Sequence, residues 1–153
     1  MQGFSEIVTE TTALGEMRDE LVGVTLATKA GRSCYFPLQH RAGVDDILGS
    51  AALVEGQMPL ATALDALRPV FEDESIVKIG QNMKYDAKIL ARYGIKVAPI
   101  DDTMLMSYAL HGGLHGHGMD ALSARYLDHE PIPIKTLLGA GKAAITFDLV
   151  KIE

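Results

Sequence analysis

Apolar positions in the first forty residues come in short alternating or continuous blocks, and the gaps between them are rich in glycine and polar residues. Phe4 to Thr9, Leu21 to Thr28 and Ser33 to Pro37 are predicted strands, separated by Gly15 and by Ala30-Gly31-Arg32, which favours an antiparallel meander. From Ala42 to Gln57 no sustained period survives Gly43, Gly49 and Gly56, so a connection with one short helix is expected. Pro59 then opens an amphipathic run, Leu60, Ala63, Leu64, Leu67, Val70 and Phe71, that predicts a helix ending near Glu72. A buried strand, Ile76 to Gly80, follows. Helices are predicted at Met83 to Tyr93, Asp102 to His111 and Met119 to Leu127, with Pro131 and Pro133 interrupting what comes after. Strands first, then helices alternating with a further strand, describe an α/β protein: a mixed sheet with helices packed on its faces.

Composition narrows this picture. The chain has 153 residues, 48% of them hydrophobic and 22% charged, enough for one domain with a continuous core. Cys34 has no cysteine partner within the chain, and no arginine-rich or apolar leader precedes the first strand, so a reducing cytoplasm is the expected setting. No stretch approaches the roughly 20 apolar residues that span a bilayer, and no membrane partner is expected. Fourteen basic residues against 20 acidic ones leave a net charge of -6, which offers no overall field for a polyanion. A small acidic pocket is a different matter, because bound divalent cations reverse the local sign and accept phosphate oxygens.

The stretch richest in chemistry is Ile79-Gly80-Gln81-Asn82-Met83-Lys84-Tyr85-Asp86-Ala87-Lys88-Ile89-Leu90, a strand running through a polar turn into a helix. Asn82 is placed as an N-cap. Steps of about 100° per residue put Met83, Ile89, Leu90 and Tyr93 on one arc with Asp86 near its middle, and Lys84, Lys88 and Arg92 on the opposite face. A carboxylate within an apolar arc is costly unless a cation or hydrogen-bond donors compensate it. Two readings follow: Asp86 serves the helix dipole or a basic neighbour, or it faces an acidic pocket as a metal ligand. The second candidate is Thr9-Glu10-Thr11-Thr12-Ala13-Leu14, where strand alternation places Glu6, Val8 and Glu10 on one face.

Taken together, these segments resemble a known family. Lys78 to Asp86 is similar to the second exonuclease motif of the proofreading exonuclease domain of bacterial DNA polymerase I, and Thr9 to Leu14 is similar to the first. Asp102-Thr103-Met104-Leu105-Met106-Ser107-Tyr108, His117-Gly118-Met119-Asp120-Ala121-Leu122 and Gly139-Ala140-Gly141-Lys142 resemble later segments in the same order. The resemblance implies a ribonuclease H-like fold and two Mg2+ or Mn2+ ions held by four carboxylates, which hydrolyse a phosphodiester at a DNA 3' end. Hard cations prefer such oxygen ligands. It further implies that Glu10 and Asp86 are catalytic metal ligands, and that Thr9, Leu14, Asn82 and Tyr85 contact the substrate, Leu14 by packing on the terminal nucleotide. The implied partners are a single-stranded DNA 3' end and a polymerase domain if the chain is part of a longer one.

Two departures bear on activity. The first motif normally reads Asp-x-Glu, and its opening position here is Val8. The third motif, a Tyr and an Asp one helical turn apart, is expected in a helix following Thr146-Phe147-Asp148-Leu149, and the sequence stops at Glu153. The chain therefore reads as a single exonuclease-like domain over residues 1–153, truncated before that motif and impaired in catalysis. Glu6 is two residues from Val8, a displacement of roughly 6.6 Å at strand rise, too far to substitute for it. Gly116 stands where relatives carry Arg. A sheet lacking a covering helix exposes apolar surface, which makes self-association an expectation.

The remaining candidates read as structural. His111, His115 and His117 fit no zinc spacing and are expected in a polar loop. Cys34 is expected as a small buried residue of the third strand, and Gly139 to Lys142 as a turn near nucleic acid. Two alternative functions stay open: a non-catalytic structural or strand-end-binding module of a polymerase, and an RNA exonuclease like ribonuclease D.

Overall fold

The computed structural model describes residues 3–12, 19–43, 52–141 and 144–152. Three antiparallel strands come first: β1 (Gly3–Thr11), β2 (Leu21–Lys29) and β3 (Arg32–Pro37). Helix α1 (Leu60–Glu72) leads to β4 (Ile76–Gly80), and α2 (Met83–Ala91) to a short β5 (Ile100–Asp102). Helices α3 (Thr103–His111), α4 (Met119–Leu127) and α5 (Lys135–Leu138) follow, and a 3-10 turn spans Phe147–Leu149. The strands form one sheet in the order β3-β2-β1-β4-β5, with β1 antiparallel to β2 and parallel to β4. The mixed sheet expected from the order of elements is therefore present.

Alternation along β1 decides what each face of the sheet does. Ser5, Ile7, Thr9 and Thr11 are buried, whereas Glu6 is exposed and Val8 and Glu10 are half-buried. The buried row meets the apolar faces of α1 and α2. Ala63, Leu64, Leu67 and Phe71 from α1, with Met83, Ile89 and Leu90 from α2, close over Ile7 and Val24. Fully burying a side chain the size of Ile, Leu or Phe contributes about 1.5–3 kcal/mol, so these contacts fix α2 against β1. Helix α2 ends through Gly94, at φ 70°, where the Ile95 N–H reaches the Leu90 carbonyl at 3.1 Å. Lys78 is buried in the middle of β4, and its ammonium donates to the carbonyls of Asp73, Ile76 and Ala98 at 2.7, 2.8 and 2.5 Å.

The structure departs from the sequence-based expectations at β5, at Asp102 and at Cys34. Ile100–Asp102 pairs with β4 as a fifth strand, which three residues are too few to reveal by periodicity. Asp102 consequently caps α3 from outside instead of beginning it. The short helix expected between Ala42 and Gln57 falls largely on residues outside those described; Arg41 and Leu53 form an isolated antiparallel bridge at its borders. Cys34, expected to be buried, is exposed. It shares a row with Ile7 and Leu26, but β3 is the edge strand and the helices pack over the inner strands of the sheet.

Candidate nucleic-acid and metal site

The second half of β1 and the first turn of α2 are stitched together by polar side chains. Thr9 donates both its backbone N–H and its hydroxyl to one oxygen of Asp86, each at 2.7 Å. One residue pair further along, the hydroxyls of Thr11 and Tyr85 lie 2.5 Å apart. Asp86 is buried at 5% exposure on the face that carries Met83, Ile89 and Leu90, as the helical arc predicts. Donors compensate it, and they come from the strand that carries Glu10. The register of β1 against β2 shifts between Glu10 and Thr11, so the pleat is broken where the two segments meet. Such irregularities re-aim side chains at strand ends.

Glu10 and Asp86 are both desolvated carboxyls. Burial raises the Glu10 carboxyl above its ordinary pKa, and the Asp86 charge raises it further. Asp86 is likewise raised, first by burial and then by Asp102, against the opposing pull of its Thr9 hydrogen bonds. Two desolvated carboxylates of like charge at one place form a hard, oxygen-only donor set that gains from a cation.

Asp102 organises this corner and was not singled out by its own chemistry in the sequence. Its two oxygens accept from Asn82 N–H at 3.2 Å and Met83 N–H at 2.8 Å, the start of α2. They also accept from Met104 N–H at 2.9 Å and Leu105 N–H at 3.1 Å, the start of α3. One carboxylate thus caps two helices. The local signal was an Asp directly before the Thr103-Met104-Leu105 run, an N-cap pattern; its second role, across twenty residues, left no local trace. Asn82 is accordingly not a side-chain cap. It sits at the N-cap position in the left-handed region, φ 60°, with no side-chain capping bond and its side chain exposed.

Of the residues predicted for the site, Thr9 and Asp86 are joined by hydrogen bonds, Glu10 follows Thr9 in β1, Tyr85 precedes Asp86 in α2, and Asn82 lies at the start of the same helix. The Tyr85 hydroxyl is engaged with Thr11, which makes it a tie between α2 and β1. Leu14 lies outside the described residues. Val8, on the face of Glu10, brings no ligand, and Glu6 faces a separate cleft of about 670 Å³ lined by Gln81, Met106, Leu110, Leu122 and Tyr126. Leu105 and Tyr108 on α3, Leu114 in the connection after it and Leu127 on α4 are exposed apolar side chains. His111, His115 and His117 pack ring to ring, with centroids 5.5 and 5.1 Å apart for successive pairs, and His117 is fixed by the Ser107 hydroxyl at 2.9 Å. Gly139 and Gly141 both have positive φ, as the predicted turn requires, and Lys142 is outside the described residues.

Among the described residues no group of three or more His, Cys, Asp or Glu side chains is placed to hold a metal. Asp102 is committed to capping, with three N–H groups on its Oδ1 and one on its Oδ2. Glu10 and Asp86 are thus the two predicted carboxylate ligands at this corner among the described residues, fewer than a pair of closely spaced cations needs.

A mixed sheet of this order with its helices is the ribonuclease H-like exonuclease architecture. Residues 7–148 match the 3'-5' exonuclease family. DNA polymerase I of Rhizobium leguminosarum is 49% identical over 95% of this chain, which spans 15% of that protein. DNA polymerase I of Pseudomonas aeruginosa is 36% identical over the same 95%, again 15% of its own length. Among solved structures, Brucella melitensis NrnC with bound Mg2+ superposes with a TM-score of 0.65 at 21% identity, covering 93% of this chain and 59% of that one. Escherichia coli RNase D gives 0.57 at 16% identity, covering 93% and 32%; both likenesses are of fold. The chain belongs to the 3'-5' exonuclease family of DNA polymerase I.

Proposed function

We propose that this chain is the exonuclease domain of a DNA polymerase I-like protein, and that it receives a single-stranded DNA 3' end at Glu10 and Asp86 with its hydrolytic power impaired. The observation that supports the reading is the double hydrogen bond to Asp86 from Thr9, the residue before Glu10 in β1, which ties the second-motif segment to the first. Glu10 and Asp86 would hold one divalent cation, Mg2+ or Mn2+. When bound in such sites, metal ions activate a water and stabilise the leaving oxygen of a phosphodiester. The protein's part is to hold both carboxyls desolvated and fixed in direction, so that a bound cation would offset the cost of ionising them. Asp102 secures the start of α2 and hence Asp86; the Thr11–Tyr85 contact secures the end of β1 and hence Glu10.

Val8, standing where the first motif normally has Asp, accounts for the impairment. The chain is read as one domain of a longer polymerase, in keeping with its 15% share of the relatives' length. A cytoplasmic setting suits that role, and among the described residues no helix is long and apolar enough to cross a membrane. Restoring the losses tests the reading. Val8→Asp alone, or a third-motif helix appended alone, should give little activity. Both together should give Mg2+-dependent release of nucleotides from a single-stranded 3' end, abolished by Asp86→Ala. A folded, doubly restored protein that releases nothing would move the assignment to a non-catalytic strand-end-binding or structural module.

A further inference from the structure

The face of the sheet that carries Glu10 holds a polar unit that the two exonuclease motifs do not contain. Cross-strand register places Glu10 opposite Gly23, and Gly23 opposite Pro37; the neighbouring row is Val8, Thr25 and Tyr35. Side chains of both rows project from the same face. Gly23 leaves a gap in the Glu10 row, and the Tyr35 phenol leans diagonally into it: a β-carbon at position 23 would collide with the Tyr35 hydroxyl. The phenol oxygen is thereby brought toward Glu10 across a strand that offers no side chain between them. Consistent with this, burial and then the Glu10 charge hold the Tyr35 phenol well above its ordinary pKa.

His40 fixes the direction of the Tyr35 proton. The His40 ring is buried at 1% exposure, with Nδ1 3.0 Å from the Val150 carbonyl and Nε2 2.6 Å from the Tyr35 hydroxyl. A carbonyl only accepts, so Nδ1 carries the hydrogen; in a neutral imidazole Nε2 is then the acceptor, and Tyr35 donates to it. Burial lowers the His40 pKa, against the Val150 carbonyl and Asp148, and favours that neutral ring. The imidazole is held edge-to-face by Tyr35 and tilted against Phe147. With its one proton committed to His40, Tyr35 has only lone pairs left for the Glu10 side.

We propose that Tyr35, seated over Gly23 and oriented by His40, is a positioning residue for Glu10: it presents an acceptor oxygen that denies Glu10 a competing donor and keeps its carboxylate available to a divalent cation shared with Asp86. This rests on the cation-binding reading of Glu10 and Asp86. A phenol proton pointing at Glu10 would satisfy the carboxylate and compete with the cation; turning that proton to His40 removes the competition. Partners that orient metal-binding groups are worth about tenfold or more in metal affinity.

The test is calorimetric titration of the chain with Mn2+, alone and in the variants Tyr35→Phe, Gly23→Ala and His40→Gln, with thermal unfolding measured alongside. His40→Gln, whose amide can donate to Tyr35 and free the phenol proton toward Glu10, should weaken Mn2+ binding by about tenfold. Gly23→Ala, which displaces the phenol, should weaken it as well, and Tyr35→Phe should make affinity insensitive to a second change at His40. Because His40 and Gly23 variants can lose stability, nitrogen-15 chemical shifts of His40 in the unaltered protein provide an independent reading: protonated Nδ1 with acceptor Nε2 supports the proposal, and the opposite tautomer overturns it. Mn2+ binding that is unchanged in folded His40→Gln and Gly23→Ala also overturns it while leaving the Glu10–Asp86 reading intact. Failure of the unaltered protein to bind Mn2+ at all removes both.

Discussion

Thr9 places its amide hydrogen and its hydroxyl hydrogen on the same oxygen of Asp86, across 77 positions of sequence. Two donors on one oxygen of this buried carboxyl oppose the rise in pKa that burial imposes on Asp86. Thr9→Val keeps the amide bond and removes the hydroxyl. The expected result is a further rise in the Asp86 pKa, measured by carboxyl NMR titration, with a loss of stability of about 1 kcal/mol. An unchanged Asp86 titration would show that the amide alone carries the compensation.

Asp102 is the corresponding anchor for the helices. Substituting a capping Asp by Ala costs about 1 kcal/mol for one helix, and here two helix starts depend on one carboxylate. Asp102→Ala is expected to cost about 2–4 kcal/mol in denaturant unfolding. Hydrogen exchange should rise selectively at Met83, Met104 and Leu105; faster exchange confined to the α3 start would contradict the double cap.

The raised carboxyls make stability depend on pH in a defined direction. Glu10 and Asp86 have folded-state pKa values above their unfolded ones, so the folded protein binds more protons between the two values and the pair favours folding most below the unfolded pKa. That contribution is lost as pH rises from the ordinary carboxylate range through the folded pKa values. Asp86→Asn keeps a carbonyl for the Thr9 donors and removes the charge; at neutral pH without metal it should stabilise the fold. It should also flatten this part of the profile. Destabilisation by Asp86→Asn at neutral pH would argue against a costly carboxylate pair.

Leu105, Tyr108 and Leu110 on α3 and Leu127 on α4 are exposed, and Leu110 and Leu127 line the Glu6 cleft. Burial of such surface between copies is expected at high concentration. Sedimentation velocity should show the average mass rising with concentration, and Leu110→Glu with Leu127→Glu should suppress the rise. A concentration-independent monomer would contradict this expectation.

Much of this arrangement was legible in residue order. Period-2 burial of β1 and the apolar arc around Asp86 are local patterns, and each matches the structure because the same face packs on the same core. What stayed hidden was nonlocal. Asp102 reads as one N-cap and serves two; β5 is a strand only because β4 lies beside it. Tyr35 and Gly23 carry no motif, since their relation exists only in the register of three strands. Cys34 was misplaced for the same reason: alternation gives the face of a strand but not whether that strand lies at the edge of the sheet.

The central claim is that Glu10 and Asp86 form one cation-binding site, and paramagnetic relaxation by Mn2+ tests it most directly. Titrating Mn2+ into labelled protein should broaden the amide signals of Thr9, Glu10, Gly23, Tyr85 and Asp86 together and at the lowest metal concentrations, and Asp86→Ala should abolish the effect. Broadening that survives Asp86→Ala, or that centres on the His111–His117 segment instead, would contradict it.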